Sequence, residues 1–196
     1  MTLPLKILPL APPHEFALTE LIFELKISRA MYGLDEFRTQ ADVRKFAHFT
    51  YCTPARCLGF VAMLTDTDSL VGAAFIDSPD SLLSYMVSPA HWRQGIGTAL
   101  VQTVVARCRE QYRLPELRAI VSRENEPSRR LLEKLDFRLV GSQRIWLAPR
   151  FCENADLYAK VLASPIEAPW QRSGMAFGDE GANEGACARP VDAATE

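Results

Sequence analysis

Nowhere in these 196 residues does an apolar run reach the roughly 18 to 20 that a membrane span requires. The opening stretch, MTLPLKILPLAPPHEF, is broken by four prolines instead of carrying a signal-like apolar block, so the reading is a cytoplasmic protein without a membrane partner. Histidine is scarce, and His14, His48 and His91 lack a second ligand at helical spacing, which leaves no metal site to expect. The five cysteines, Cys52, Cys57, Cys108, Cys152 and Cys187, are odd in number and irregularly spaced. That pattern fits reduced thiols better than a disulfide or zinc framework. A surplus of one charge is also lacking: the net charge is -2, so no bulk polarity calls for nucleic acid. No internal repeat is present.

What is present is enough apolar material, 48% of the residues, for one sizeable core and hence one domain, placed at residues 1–163. From Ser164 the composition shifts to Pro, Gly and Ala with six acidic and two basic residues, so the tail carries -4 and the remainder +2. Residues 164–196 read as a disordered tail, with Trp170 and Phe177 as its only docking hints.

Residues 5 to 10 read as a strand, and PPHEFALTELIFELKISRAMYG as a helix opened by proline and closed by Gly33. A second helix is expected from Asp35 to Phe49. CLGFVAMLTD and SLVGAAFID, joined by the polar turn Thr65 to Asp68, form a hairpin that SLLSYMV extends into a meander. From Gly95 onward, Ile96, Leu100, Val101, Val104, Val105 and Cys108 share one helical face until Pro115 forbids continuation. ELRAIVS is a strand. Asn125 or Glu126 caps the next helix, with Pro127 in its first turn and Leu131, Leu132 and Leu135 on its buried side. LYAKVL, at 157 to 162, is the last strand.

The pair Gly95 and Gly97 lies where a strand hands over to a helix. Without side chains there, the first helical amides can face a negative ligand, assisted by the helix dipole. The plainer alternative is a tight turn needing positive φ. GIGTAL lacks the third glycine of a dinucleotide fingerprint, and no Gly-Lys-Ser/Thr follows to make a nucleoside-triphosphate loop.

The wider stretch MVSPAHWRQGIGTALV resembles the acetyl-CoA loop of the GNAT N-acetyltransferase superfamily, and NEPSRRLLEKLDFRLVG, about thirty residues on, resembles that family's Asn-led helix. Within the superfamily the motifs are most similar to the ribosomal-protein N-terminal acetyltransferases. The resemblance spans roughly residues 5 to 162. It implies an α/β (α+β) fold: a mixed, mainly antiparallel sheet of six to seven strands flanked by about four helices.

It further implies acetyl-CoA as acyl donor, no metal, and direct transfer in a ternary complex to a primary amine of a small molecule or of a peptide or protein N-terminus. A homodimer stays open. By position, Tyr85, Met86 and Val87 would line the pantetheine arm as a false strand partner. The amides from Gln94 through Gly95, Ile96 and Gly97 to Thr98 would cradle the pyrophosphate, with side-chain help from Arg93 or Gln94. Asn125 would bind the pantetheine or acetyl end, or serve only as a cap. Ser128 would meet the thiol and donate to the leaving thiolate, or be an ordinary first-turn serine.

The chain departs from the family where Leu132 replaces a common tyrosine acid. A thiolate with a conjugate-acid pKa of about 8.5 leaves well without one, so orientation and an oxyanion donor, expected at the Val87 N–H, matter more. No convincing base appears. Trp146 stands where the ribosomal-protein subgroup uses a glutamate, and Ser84 where some relatives show Glu. Asp77 and Asp80, Tyr32, and Asp35 with Glu36 are the candidates. Acceptor specificity falls to Met31–Glu36, where Tyr32, Asp35 and Glu36 would wall and attract an amine, and to a loop from Arg144 to Asn154 that includes Trp146. The alternatives in other classes are a degenerate acyl-CoA-binding or sensor module, and an interaction module acting through the tail.

Overall fold

The computed structural model describes residues 4–24, 39–78, 80–148 and 151–162, the side chains of 145–148 and 151–153 excepted. Its order is β1 (Leu5–Pro9), α1 (Glu15–Phe23), α2 (Gln40–Cys52), β2 (Cys57–Leu64), β3 (Leu70–Asp77), β4 (Leu82–Val87), α3 (Ile96–Glu110), β5 (Glu116–Ser122), α4 (Glu126–Lys134), β6 (Arg138–Ala148) and β7 (Phe151–Val161). The seven strands form one sheet in the order β1-β2-β3-β4-β5-β7-β6. Every neighbouring pair is antiparallel except β4 and β5. Among the described residues no helix is long and apolar enough to cross a membrane.

β2 and β3 are apolar almost throughout because both their faces are covered. Leu58, Phe60 and Ala62 of β2 join one core with Leu100, Val104 and Leu132 of α3 and α4. Val61 and Met63 turn to the other face and pack with Leu18, Ile22, Val43 and Ala47 of α1 and α2. The strand period of two thus splits one apolar run between two helix layers.

Two helix boundaries differ from expectation. α1 ends at Phe23, and Glu24 is already extended at ψ 115°; glutamate is a good helix former, so tertiary context and not propensity sets the break. Gly33, the expected terminator, lies outside the described residues. α2 starts after Thr39, whose hydroxyl accepts the Asp42 N–H at 3.3 Å while the Asp42 carboxylate accepts the Thr39 N–H at 2.7 Å. This reciprocal cap defines the first turn more strongly than the apolar pattern does.

The largest difference is at the C-terminal side. Arg144 to Asn154, read as a loop, belongs largely to the paired strands β6 and β7, which align from Arg138 opposite Ala159 to Ala148 opposite Phe151. β6 is an edge strand, so it tolerates Arg138, Gln143 and Arg144 and shows weak hydropathy. The tail from residue 164 lies outside the described residues.

β7 also fixes α4. The buried Asp156 carboxylate accepts from Arg123 Nε at 2.9 Å and Ser142 Oγ at 2.9 Å, with Arg129 Nε at 3.6 Å. Tyr158 donates to Glu133 at 2.9 Å, and Lys160 donates to the Leu135 carbonyl at 2.7 Å. The hydrogen bond from Arg123 leads the effects that hold Asp156 below the usual carboxylate range, against the opposing effect of burial. A carboxyl depressed on folding stabilises the fold above its unfolded pKa, about 3.9, and loses that effect as pH falls through the folded value. Asp156→Asn is therefore expected to be less stable than the parent by about 2 kcal/mol at pH 7, the size of a weakened hydrogen bond between charged groups. That gap closes progressively below about pH 4, as paired urea titrations at pH 7 and pH 3 would show.

Candidate active site

β4 and β5 touch at a single register point, Leu82 opposite Arg118, and then separate. The Ser88 N–H bonds the Val71 carbonyl at 2.9 Å, so the alternation of a strand turns the main-chain groups of Tyr85 and Val87 the other way, into the gap. Side chains alternate too. Tyr85 and Val87 pack toward α3 and α4, whereas Met86 is buried toward α1 and α2. One of the freed groups is occupied: Trp92 Nε1 donates to the Val87 carbonyl at 2.7 Å, while the N–H groups of Tyr85 and Val87 still face the gap.

The end of the gap meets the start of α3. Gly95 adopts φ 82°, ψ -2° as N-cap, without a side-chain cap. A Cβ there would find nothing within 4 Å, so it is the left-handed backbone that favours glycine. The first bond closing α3 runs from Ala99 N to Gly95 O at 3.0 Å, and the N–H groups of Ile96, Gly97 and Thr98 precede it without helical partners. Gly97 has a different reason to be glycine. Its Cβ would lie 3.0 Å from Leu131 Cδ1 and 3.6 Å from Val87 Cγ2, so it is the point where α3, α4 and β4 close on one another. The positive-φ reading thus holds for Gly95, while Gly97 is glycine for close packing, a reason the sequence reading did not include.

Around this point the structure gathers most of the residues singled out in the sequence. Arg93 is exposed at φ 61°. Exposed Gln94 turns its amide to the Ala90 carbonyl at 3.2 Å. Ile96 is 3% exposed and anchors the helix in the core, so only its main chain faces outward. Asn125 caps α4 by accepting the Ser128 N–H at 3.2 Å, which leaves its side-chain NH2 to other partners. Ser128 Oγ lies 2.6 Å from the Tyr85 hydroxyl. Burial pushes the Tyr85 phenol up to about 12. Leu132, fully buried, is plain core.

The acceptor-side expectations are placed differently. Tyr32, Asp35 and Glu36 lie outside the described residues. Trp146 stands opposite Cys152 on the outermost strand, with β7 and β5 between β6 and β4. Asp77 is raised, by burial first and then by Asp80, but it pairs with Leu82 at the opposite end of β4 from Val87, about 16 Å away at strand rise. Two contacts escaped sequence reasoning. Alternation shows that Tyr85 and Val87 share a face, but the bond from Tyr85 to Ser128 joins positions 43 apart. The Trp92 indole bond had no local signal.

On the α1 side, a depression of about 590 Å³ opens between Phe16, Glu20, Phe23 and Glu24 on one wall and Leu70 and Ser88 on the other. It therefore reaches the residue after Val87. Among the described residues the cysteines Cys52, Cys57 and Cys108 are free, and burial raises the Cys108 thiol to about 12.

The fold has counterparts among solved structures. The chain is similar to the Salmonella typhimurium acetyltransferase that modifies the N-terminal serine of ribosomal protein L7/L12, at 15% identity and TM-score 0.69 over 82% of this chain and 96% of that one. It is similar to the spermidine N-acetyltransferase of Vibrio cholerae in complex with CoA and spermine, at 14% identity and TM-score 0.67 over 81% and 96%. It is also similar to Mycobacterium smegmatis RimJ in complex with a CoA disulfide, at 20% identity and TM-score 0.68 over 81% and 84%. No curated protein matches the sequence. The model of the acetyltransferase (GNAT) family matches residues 23–137, which hold the splayed strand, the glycine bend and the Asn-capped helix. With that match over more than half its length, the chain belongs to the GNAT family of acetyltransferases.

Proposed function

We propose that this enzyme moves an acetyl group from acetyl-CoA directly to a primary amine, of a small molecule or of a peptide or protein N-terminus, within a ternary complex. The observation that carries this reading is the meeting of an unpaired strand edge, at Tyr85 and Val87, with the uncapped amino end of α3 at Gly95. The edge suits the amide-bearing pantetheine arm, and the amides of Ile96, Gly97 and Thr98 suit the diphosphate. Relatives of this fold in complex with CoA support the donor.

The amine nitrogen attacks the thioester carbonyl and a C–N bond forms. The Val87 N–H receives the developing oxyanion, the C–S bond breaks, and the ammonium proton passes to water. Ser128 donates a hydrogen bond to the departing sulfur. A base in the protein is least needed for an α-amino group, whose pKa near 7.7 to 8.0 leaves part of it neutral at pH 7. Glu20 and Glu24, on the wall of the α1 depression, favour a cationic acceptor arriving from the face opposite α3. The relatives' acceptors, a ribosomal-protein N-terminus and a polyamine, are of that kind.

A second reading, acyl-CoA binding without turnover, is favoured by the remoteness of Asp77 from Val87. Calorimetry with acetyl-CoA, followed by thiol release against a panel of amines and peptides with mass spectrometry of the products, separates the two. Transfer predicts micromolar binding and an acetyl mass gain on one amine class. Binding with no thiol released above background supports the second reading, and no binding at millimolar acetyl-CoA removes both.

A further inference from the structure

We propose that Tyr85 is a positioning residue that fixes the Ser128 hydroxyl as a hydrogen-bond donor toward the sulfur of CoA. This deepens the acetyl-transfer reading above and rests on it. Two hydroxyl protons, those of Tyr85 and Ser128, share this contact. Tyr85 OH has two acceptors within reach, Ser128 Oγ at 2.6 Å and the Ser128 carbonyl at 3.4 Å. If the serine gave its proton to the phenol, the phenolic proton would be left only the long contact to the carbonyl. If Tyr85 donates to Oγ, the short bond is made, and the Ser128 proton has no acceptor in the described protein. It is then free to point into the gap beyond Leu82, where Tyr85 and Val87 expose their main chain.

The remaining bonds hold this choice in place. The Ser128 N–H is taken by Asn125 Oδ1 at 3.2 Å, which fixes the first turn of α4. The phenol, raised to about 12 by burial, remains a neutral donor across the working pH range. A donor behind a donor polarises the outer O–H bond. The same value limits the role to hydrogen bonding. Passing a proton from so weak an acid through serine to a thiolate would be steeply uphill, so the thiolate takes its proton from water after leaving.

The test compares Tyr85→Phe, Ser128→Ala and the double variant. Tyr85→Phe keeps the ring and its packing, so its melting temperature and CoA affinity are expected to stay near those of the parent. Its acceptor KM is expected to hold within about threefold while kcat falls about tenfold, the size of a lost hydrogen bond to a charged atom. Ser128→Ala should fall by a similar factor, and the double variant no further than Ser128→Ala alone. A readout without turnover is the ionisation of the thiol of bound CoA, followed by thiolate difference absorbance. The parent should hold it below the value of free CoA in the same buffer, and both single variants should return it toward that value. A parent that binds no CoA overturns the functional reading and this assignment together. An active parent with kcat unchanged in Tyr85→Phe, or with fully additive losses in the double variant, overturns this assignment alone.

Discussion

Gly95→Asp is expected to lower CoA affinity at least a hundredfold while moving the melting temperature by only a few degrees. The two effects separate because the position demands a backbone conformation and not a volume. Gly95 sits at φ 82° with open space where a Cβ would stand. An L-residue in this left-handed region costs about 1–2 kcal/mol, aspartate among the least. A carboxylate at a helix amino end regains about 0.3–1 kcal/mol from the dipole. The net stability change is about 1 kcal/mol, or roughly 2–4 °C in a domain of this size. Binding is another matter. A carboxylate about 4 Å from a phosphate oxygen, at an effective dielectric near 20, opposes it by about 4 kcal/mol. Gly95→Asn, which tolerates the same backbone without the charge, should lose less than about tenfold, and the difference between the variants isolates electrostatics. Calorimetry and thermal melts of both make the measurement. Parent-like affinity in Gly95→Asp would put the diphosphate somewhere else.

Leu132→Ala should carry the largest stability loss, about 3 kcal/mol within the 2–5 kcal/mol range of buried leucine truncations. Leu132 is the one buried side chain of α4. Around it the helix is held by polar contacts to β7: the Arg129–Asp156 ion pair and the hydrogen bonds that Tyr158 donates to Glu133 and Lys160 to the Leu135 carbonyl. Those contacts orient the helix but bury little apolar surface, so they cannot compensate for a cavity beneath it. Urea unfolding reads the loss directly, and a thermal midpoint lowered by roughly 6–12 °C would accompany it. Ser128 and Asn125 ride on the same helix, so kcat should fall more than Leu132's distance from the gap alone would suggest. A loss under about 1 kcal/mol would mean that the polar contacts carry α4.

How far the sequence could be read depended on the range of the interaction. Gly95, Asn125 and Pro127 act within one turn of the chain, and their roles were visible as spacing. The α3 stripe from Ile96 to Cys108 was visible for the same reason, since a helix face is a local pattern. The β6 strand was not, because an edge strand can be polar on its exposed side and Arg138 to Arg144 carry little alternation. The end of α1 at Phe23 was hidden because Glu24, Leu25 and Lys26, which follow it, all favour helix. The contact of Tyr85 with Ser128 depends on two elements that meet only after β5 and α4 have folded back, and no residue near either one announces it.

The single point of contact between β4 and β5 makes the middle of this sheet chemically a rim. Four strands stand on one side of it and three on the other, and the seam between them offers peptide groups in the same unmet condition as those at an outer border. Proteins usually guard such borders with charge or a covering loop, because any extended chain can add itself there. Here the vacancy is internal, flanked by helices on both faces and closed at one end. That restricts its guests to something thin, amide-bearing and no longer than a few peptide units.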